Sequence, residues 1–375
     1  LQPYWNTKDE DLKPNIDTEK ILIIQTAFLG DLILTTPFFH QIRKLYPNST
    51  IHLLVNKGTE SVLDGNPDID RVFTLDKKKI KKSILGFWQF AKELKKEKYT
   101  IVYSPHFSYR SSLLSWLTSA KERIGYKESG FSFLHTKKVH RPRTGPHEVE
   151  KLFSLLWDNP TDYPIGREKR PFLFLSKEII ESAKNKMESF LNVRRDFVCI
   201  SPSSLWETKR YPAEGFAQLI QLILENTDLS IILTGSPADS TLTESILNLV
   251  RSNSVPSLGT SKKEIDLRIL DLAGKTSLSE LGAVISMAKV LISNDSSPVH
   301  YGSAFNTATV LIYGATVPDF GYSTVSEKQA IAEIKNLYCR PCSIHGGRVC
   351  PEKHFRCMKD QKPEEIFALF EKLLI

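Results

Sequence analysis

The chain of 375 residues carries 41% hydrophobic and 25% charged side chains and a net charge of +7. That composition excludes fibrous and disordered classes, and the length points to two cores rather than one. No apolar run reaches the roughly 18 residues of a membrane-spanning helix, and the positive excess is gathered in one stretch, as would suit nucleic acid, a phosphorylated glycolipid or a membrane surface.

Residues 1–20 form a polar lead segment without the apolar core of a signal peptide, so a cytoplasmic protein is expected. "ILIIQTA" (21–27) is a continuous apolar run, the pattern of a strand covered on both faces. A helix is predicted from Leu32 to Tyr46, ending at Pro47, and strands at 50–55, 71–75, 99–104 and 123–126. This alternation predicts a parallel sheet flanked by helices. The lysine-rich "KKKIKK" (77–82) and "KELKKEK" (92–98) flank a stripe of Ile84, Phe87, Trp88, Ala91 and Leu94. Facing inward the stripe is core; facing outward it would rest on a membrane surface.

The pattern breaks at 158–171, in "DNPTDYPIGREKRP", where a domain boundary is expected. Alternation then restarts, with strands predicted at 197–203, 229–235, 269–274, 289–295 and 308–314 and a last helix from Pro363 to Ile375. The expected organisation is a lead segment (1–20), two α/β domains (21–165 and 166–338) and a cysteine-rich tail (339–375). Cys199 falls in an apolar strand and reads as a small hydrophobe. Cys339, Cys342, Cys350 and Cys357 have the spacing C-x2-C-x7-C-x6-C. Such a cluster could close a structural zinc site, with His345 or His354 replacing one thiolate, although the spacing matches no common zinc motif.

In doubly wound domains ligands bind at the carboxyl ends of the strands, so the polar turns there are the candidate site. In "AFLGDLILTTP", Gly30 permits a tight turn and Asp31 is either a helix cap or a base at the mouth of a cleft. "SPSSLWETKRYP" sets Ser203, Ser204 and Lys209 before a helix start, a phosphate-binding combination or an ordinary polar loop. "LTGSPADS" puts Gly235 and Asp239 where a carboxylate would meet ribose or cap a helix. "SNDSSPVHYGSA" opens a helix with Asp295, Ser296, Ser297 and Pro298, followed by His300. Its amides and hydroxyls suit a pyrophosphate; Asp295 would orient the loop or bind sugar hydroxyls, and His300 would bind ligand or simply pack. "GKT" (274–276) is not a Walker loop, because Ile269 stands where its first glycine must be. No G-x-G-x-x-G follows any strand.

These stretches, with "LAGKTSLSELGAVISMAKVLISNDSSPVHYGSA" and "YGATVPDFG", resemble glycosyltransferase family 9, the ADP-heptose:lipopolysaccharide heptosyltransferases, over residues 21–321. The resemblance implies a GT-B fold: two facing Rossmann-like domains, with acceptor on the first and nucleotide sugar on the second. It implies inverting, metal-independent transfer of heptose from ADP-heptose to a Kdo–lipid A based acceptor, and therefore contact with the inner membrane surface. By that likeness Asp31 is the general base and Lys209 neutralises the leaving diphosphate. Ser203 and Ser204 approach the phosphate, Asp239 the ribose and Thr276 the adenine. Residues 295–300 match the family's D-[ST]-G-x-x-H turn, except that Ser297 stands where glycine is usual. Rival readings are a GT-B enzyme for another nucleotide sugar and a non-catalytic relative. A nucleic-acid binder is disfavoured, since no aromatic-and-glycine recognition motif accompanies the lysines.

Overall fold

The structure is a computed structural model that describes residues 19–78, 84–191, 196–252 and 267–375. Two six-stranded sheets organise it. The first contains β1 (Lys20–Gln25), β2 (Thr50–Asn56), β3 (Arg71–Leu75), β4 (Ile101–Ser104), β5 (Glu122–Tyr126) and β6 (Lys137–Val139) in the order β3-β2-β1-β4-β5-β6. The second contains β7 (Phe197–Ser201), β8 (Ser230–Leu233), β9 (Ile269–Asp271), β10 (Val290–Asn294), β11 (Ala308–Ile312) and β12 (Gln329–Ala332) in the order β12-β11-β10-β7-β8-β9. Every pairing is parallel. Both sheets thus have Rossmann order, with switch points between β1 and β4 and between β7 and β10. This is the GT-B arrangement.

The central strands are buried on both faces, which is why they read as unbroken apolar runs. One apolar cluster draws on both halves: Leu32, Phe38 and Ile51 join Leu272, Val284 and Tyr301. A second lies under the C-terminal helix Pro363–Leu374, whose Ile366 and Phe370 join Ile220 and Val310.

The helix expected from Leu32 to Tyr46 is two helices, Leu29–Leu34 and Thr36–Leu45. Pro37 has no amide proton to continue the ladder, and the Thr36 hydroxyl donates instead to the Ile33 carbonyl at 2.8 Å. The stripe on the helix Ile84–Lys96 faces inward: Phe87, Ala91 and Leu94 are buried against Leu22 and Ile24, and Trp88 is exposed. The Ile84 side chain and most of the first lysine run (79–83) lie outside the described residues. Among the described residues no helix is long and apolar enough to cross a membrane.

The two halves are strapped together beside the cleft. Segment 145–151 of the first meets segment 319–323 of the second through Glu148 N–H to the Gly321 carbonyl (2.8 Å) and Gly145 N–H to the Asp319 carbonyl (3.0 Å). The buried Lys151 ammonium donates to the Phe320 carbonyl at 2.8 Å. Gly321, at φ +87°, lies so close that a Cβ would stand 2.5 Å from the Pro146 carbonyl oxygen.

Candidate functional site

The turns after β1, β7 and β10 line one cleft of about 240 Å³, which gathers Gly30, Asp31, Ser204, Lys209, Asp295, Ser296, Ser297 and His300. The cleft sits at the switch points of both sheets, where loops diverge and leave room for a ligand.

Asp31 occupies the third position of the helix Leu29–Leu34, and the cap itself is Phe28. One carboxylate oxygen accepts the Phe28 N–H at 3.1 Å. Burial, and next the negative charge of Glu148, raise the Asp31 pKa to about 6. It is therefore ionised at neutral pH yet close to the proton affinity that suits a base. Gly30 is helical rather than part of a left-handed turn. A Cβ on it would stand 2.8 Å from His300 Cδ2, so glycine serves close approach between the two halves.

Opposite Asp31, the Lys209 ammonium pairs with the Asp295 carboxylate at 2.6 Å, both side chains being largely buried. The Thr316 hydroxyl donates to the same Asp295 oxygen at 2.6 Å. Asp295 therefore orients the 316 loop, in line with the orienting role expected of it, and also holds Lys209, a pairing the sequence did not reveal. The helix Pro298–Phe305 also differs from expectation. Val299 and His300 N–H groups donate to the Ser296 and Ser297 carbonyls at 3.1 and 3.0 Å, and Pro298 has none. Among the described residues, the donors left for an anion are the Ser296 and Ser297 amides. Ser297 has φ −54°, so the usual glycine is not needed for a left-handed backbone here. His300 is buried, and among the described residues its Nδ1 has no hydrogen-bond partner. Burial pushes its pKa down to about 3, so the imidazole is neutral.

The other predicted residues form a chain leading away from this cleft. The Ser296 hydroxyl donates to the Ser203 carbonyl at 3.2 Å, and the Ser203 hydroxyl donates to Asp239. Asp239 also accepts the Ser236 amide at 2.8 Å and hydroxyl at 2.6 Å, so it is a cap as well as a shelf edge. Gly235 packs on Asp239, where a Cβ would come within 2.9 Å of the Asp239 Cβ. Its carbonyl accepts the Gly274 N–H at 2.9 Å, which brings the Thr276 loop alongside.

Several contributors carry no motif. Buried Arg141 and Glu148 and half-buried Tyr322 form a group near Asp31: Arg141 donates to both Glu148 oxygens at 2.7 and 2.6 Å. Their approach depends on the strap, and nothing local in the sequence marks it. Ile344 and His345 line the cleft from the cysteine-rich segment. That loop is tied down by Thr208 N–H to the Gly347 carbonyl (3.0 Å) and Gly347 N–H to the Thr208 hydroxyl (2.7 Å). The glycine pair after His345 was the available signal. Desolvation, followed by the Lys209 and Arg141 charges, lowers the His345 pKa.

Cys339, Cys342, Cys350 and Cys357 are free thiols, and Cys357 is buried in the second core. Burial raises the Cys357 pKa to about 11. Among the described residues no group of three or more His, Cys, Asp or Glu is arranged to hold a metal ion. Cys199 is buried in β7 as expected.

Residues 87–354 match the profile of glycosyltransferase family 9 (heptosyltransferase). Lipopolysaccharide heptosyltransferase 3 of Escherichia coli is 27% identical over 307 residues, covering 77% of this chain and 82% of that protein. Lipooligosaccharide heptosyltransferase 2 of Haemophilus ducreyi is 24% identical over 366 residues, covering 95% and 99%. In fold, the chain is similar to a family 9 glycosyltransferase of Veillonella parvula, with a TM-score of 0.80 at 24% identity, covering 96% and 98%.

Proposed function

Because this chain belongs to glycosyltransferase family 9, the heptosyltransferases, we propose that it transfers heptose from ADP-heptose to the inner core of a Kdo–lipid A based lipopolysaccharide acceptor, with inversion and without a catalytic metal. The observation that carries this reading is the opposition of Asp31 to the Lys209–Asp295 pair across one cleft. Asp31 accepts the proton as an acceptor hydroxyl attacks the anomeric carbon of the sugar. The bond from that carbon to the diphosphate oxygen breaks, and the leaving ADP takes the electron pair. Lys209, the Ser204 hydroxyl and the Ser296 and Ser297 amides meet the charge that develops there. Cationic and N–H donors then supply the positive charge that a metal would otherwise bring.

Neutral His300 offers a hydrogen bond to phosphate or sugar. Ser203, Gly235 and Asp239 lead toward the ribose and Thr276 toward the adenine, with the acceptor held on the first half and the nucleotide sugar on the second. Because the acceptor is lipid-linked, the protein works from the cytoplasm against the inner face of the cytoplasmic membrane. The test is ADP release from ADP-heptose with a heptose-bearing Kdo–lipid A acceptor. Wild type should release ADP only when acceptor is present. Asp31→Ala should bind donor normally yet turn over on the order of 10²–10³-fold more slowly. Failure of the wild type to bind ADP-heptose would sink the donor assignment.

A further inference from the structure

The first sheet presents an aromatic ridge that neither core absorbs. Tyr109 opens the helix after β4 and Phe131 follows β5, so both lie toward the carboxyl edge of the first sheet, the edge that also carries Asp31; by Leu134 the chain has returned to Arg123 near the start of β5. The Tyr109 and Phe131 rings are 5.9 Å apart, and Phe131 and Phe133 are again 5.9 Å apart. Tyr109 and Phe131 are each 47% exposed and Phe133 72%. Three rings in edge-on and tilted contact, turned to solvent, form a contiguous patch, unlike single exposed hydrophobics, which need no explanation.

The ridge is held in place by its backbone. Phe131 has φ +62°, a left-handed conformation that a bulky side chain rarely adopts. Leu134 N–H to the Phe131 carbonyl (3.0 Å) and Ser132 N–H to the Ser129 carbonyl (3.1 Å) fix the turn. Gly130 lets it lie against the helix, since a Cβ there would stand 2.8 Å from the Tyr109 Cβ.

We propose that this ridge seats the protein on an anionic lipid bilayer, with the cleft mouth beside the lipid surface. Three observations select that occupant. Between His106 and His140 six Lys and Arg stand against two Glu, so the segment that carries the ridge is net basic, and basic segments with inserted aromatics attract acidic head groups. The Arg110 guanidinium lies 4.9 Å over the Tyr109 ring, a cation at the base of the patch. The patch is also linked toward Asp31: Phe107, two residues before Tyr109, carries Arg141 at 4.6 Å over its ring, and Arg141 binds the Glu148 whose charge reaches Asp31. Convex phenylalanine rings without a polar handle suit hydrocarbon better than a sugar face, which is met in recesses with hydrogen-bonding groups. The proposal rests on the lipid-linked acceptor of the preceding section and identifies the surface that would bring the protein to it.

Vesicle flotation tests it without turnover. Wild type should float with vesicles of phosphatidylglycerol and phosphatidylethanolamine, weakly with phosphatidylcholine alone, and less as salt is raised. The double variant Phe131→Asn, Phe133→Ser should partition on the order of tenfold more weakly, while Val349→Ser, an exposed position on the cysteine-rich segment, should behave as wild type. Asparagine tolerates the left-handed backbone, so thermal melting should be unchanged and transfer to a de-acylated acceptor should persist. Equal flotation of wild type and double variant would overturn the proposal. So would a loss confined to the de-acylated acceptor, which would make the ridge a sugar contact, or a wild-type dimer broken by the double variant in sedimentation. Wild-type flotation without use of ADP-heptose would sink the heptosyl reading and leave the lipid surface standing.

Discussion

Asp31 is held by the Phe28 amide through one oxygen and lines the cleft, and burial keeps its pKa near 6 against an ordinary 3.8. The unfolded chain therefore loses this proton at lower pH than the folded one. Stability contributed by the raised pKa is present below about 4, falls as pH rises toward 6 and is absent above it. The cost of holding a charged Asp31 at neutral pH is on the order of 1–3 kcal/mol. Asp31→Asn keeps the Phe28 hydrogen bond and removes the charge. Its melting temperature should exceed that of wild type at about pH 8 and match it at about pH 4, while activity is lost. A difference in melting temperature that does not change with pH would show that Asp31 ionisation carries no strain. The residue itself was legible because it follows an apolar strand and a glycine. Its neighbours Glu148 and Arg141 were not, since more than a hundred residues separate them from it and no local pattern announces the contact.

At the scale of elements, the central strands were legible for a physical reason: burial on both faces writes an unbroken apolar run. The strands that sequence patterning missed, β6 (Lys137–Val139) and β12 (Gln329–Ala332), are sheet edges with short, partly exposed sequences. Edges need no such run. Turns at strand ends were legible as a set, but their internal hydrogen bonds were not, and that is where the pairing of Lys209 with Asp295 lay hidden. The cysteine-rich segment shows the same limit. Its spacing drew attention to metal, whereas its contact with the cleft is made by the loop around His345. Gly346 there has φ +81°, and a Cβ would meet the Thr208 hydroxyl at 3.0 Å and Lys209 Cγ at 3.2 Å. Gly346→Ala should cost about 1–2 kcal/mol of stability and shift Lys209. A fall in kcat of on the order of tenfold or more, with the fold retained, is expected. Unchanged turnover would separate the loop from the chemistry.

Across the whole molecule, the residues proposed to act in transfer come from two sheets and must keep register, and the strap at 145–151 and 319–323 joins those two halves. Lys151→Met would leave the Phe320 carbonyl without its ammonium partner and loosen that joint, at about 1–3 kcal/mol. KM for donor and kcat should change together, as for hinge positions, and calorimetry should show the lower melting temperature; a variant that melts and turns over like wild type would remove the strap from the mechanism. The Lys209–Asp295 pair has a further consequence for the complete cycle. Lys209 is bound to an anion of the protein's own, the Asp295 carboxylate. An arriving diphosphate must compete with that carboxylate, and after transfer the carboxylate is still there to reclaim the lysine. Under the proposed transfer the fold carries a tethered competitor for its own product, which favours the departure of ADP and makes the cleft a poor trap for stray phosphate.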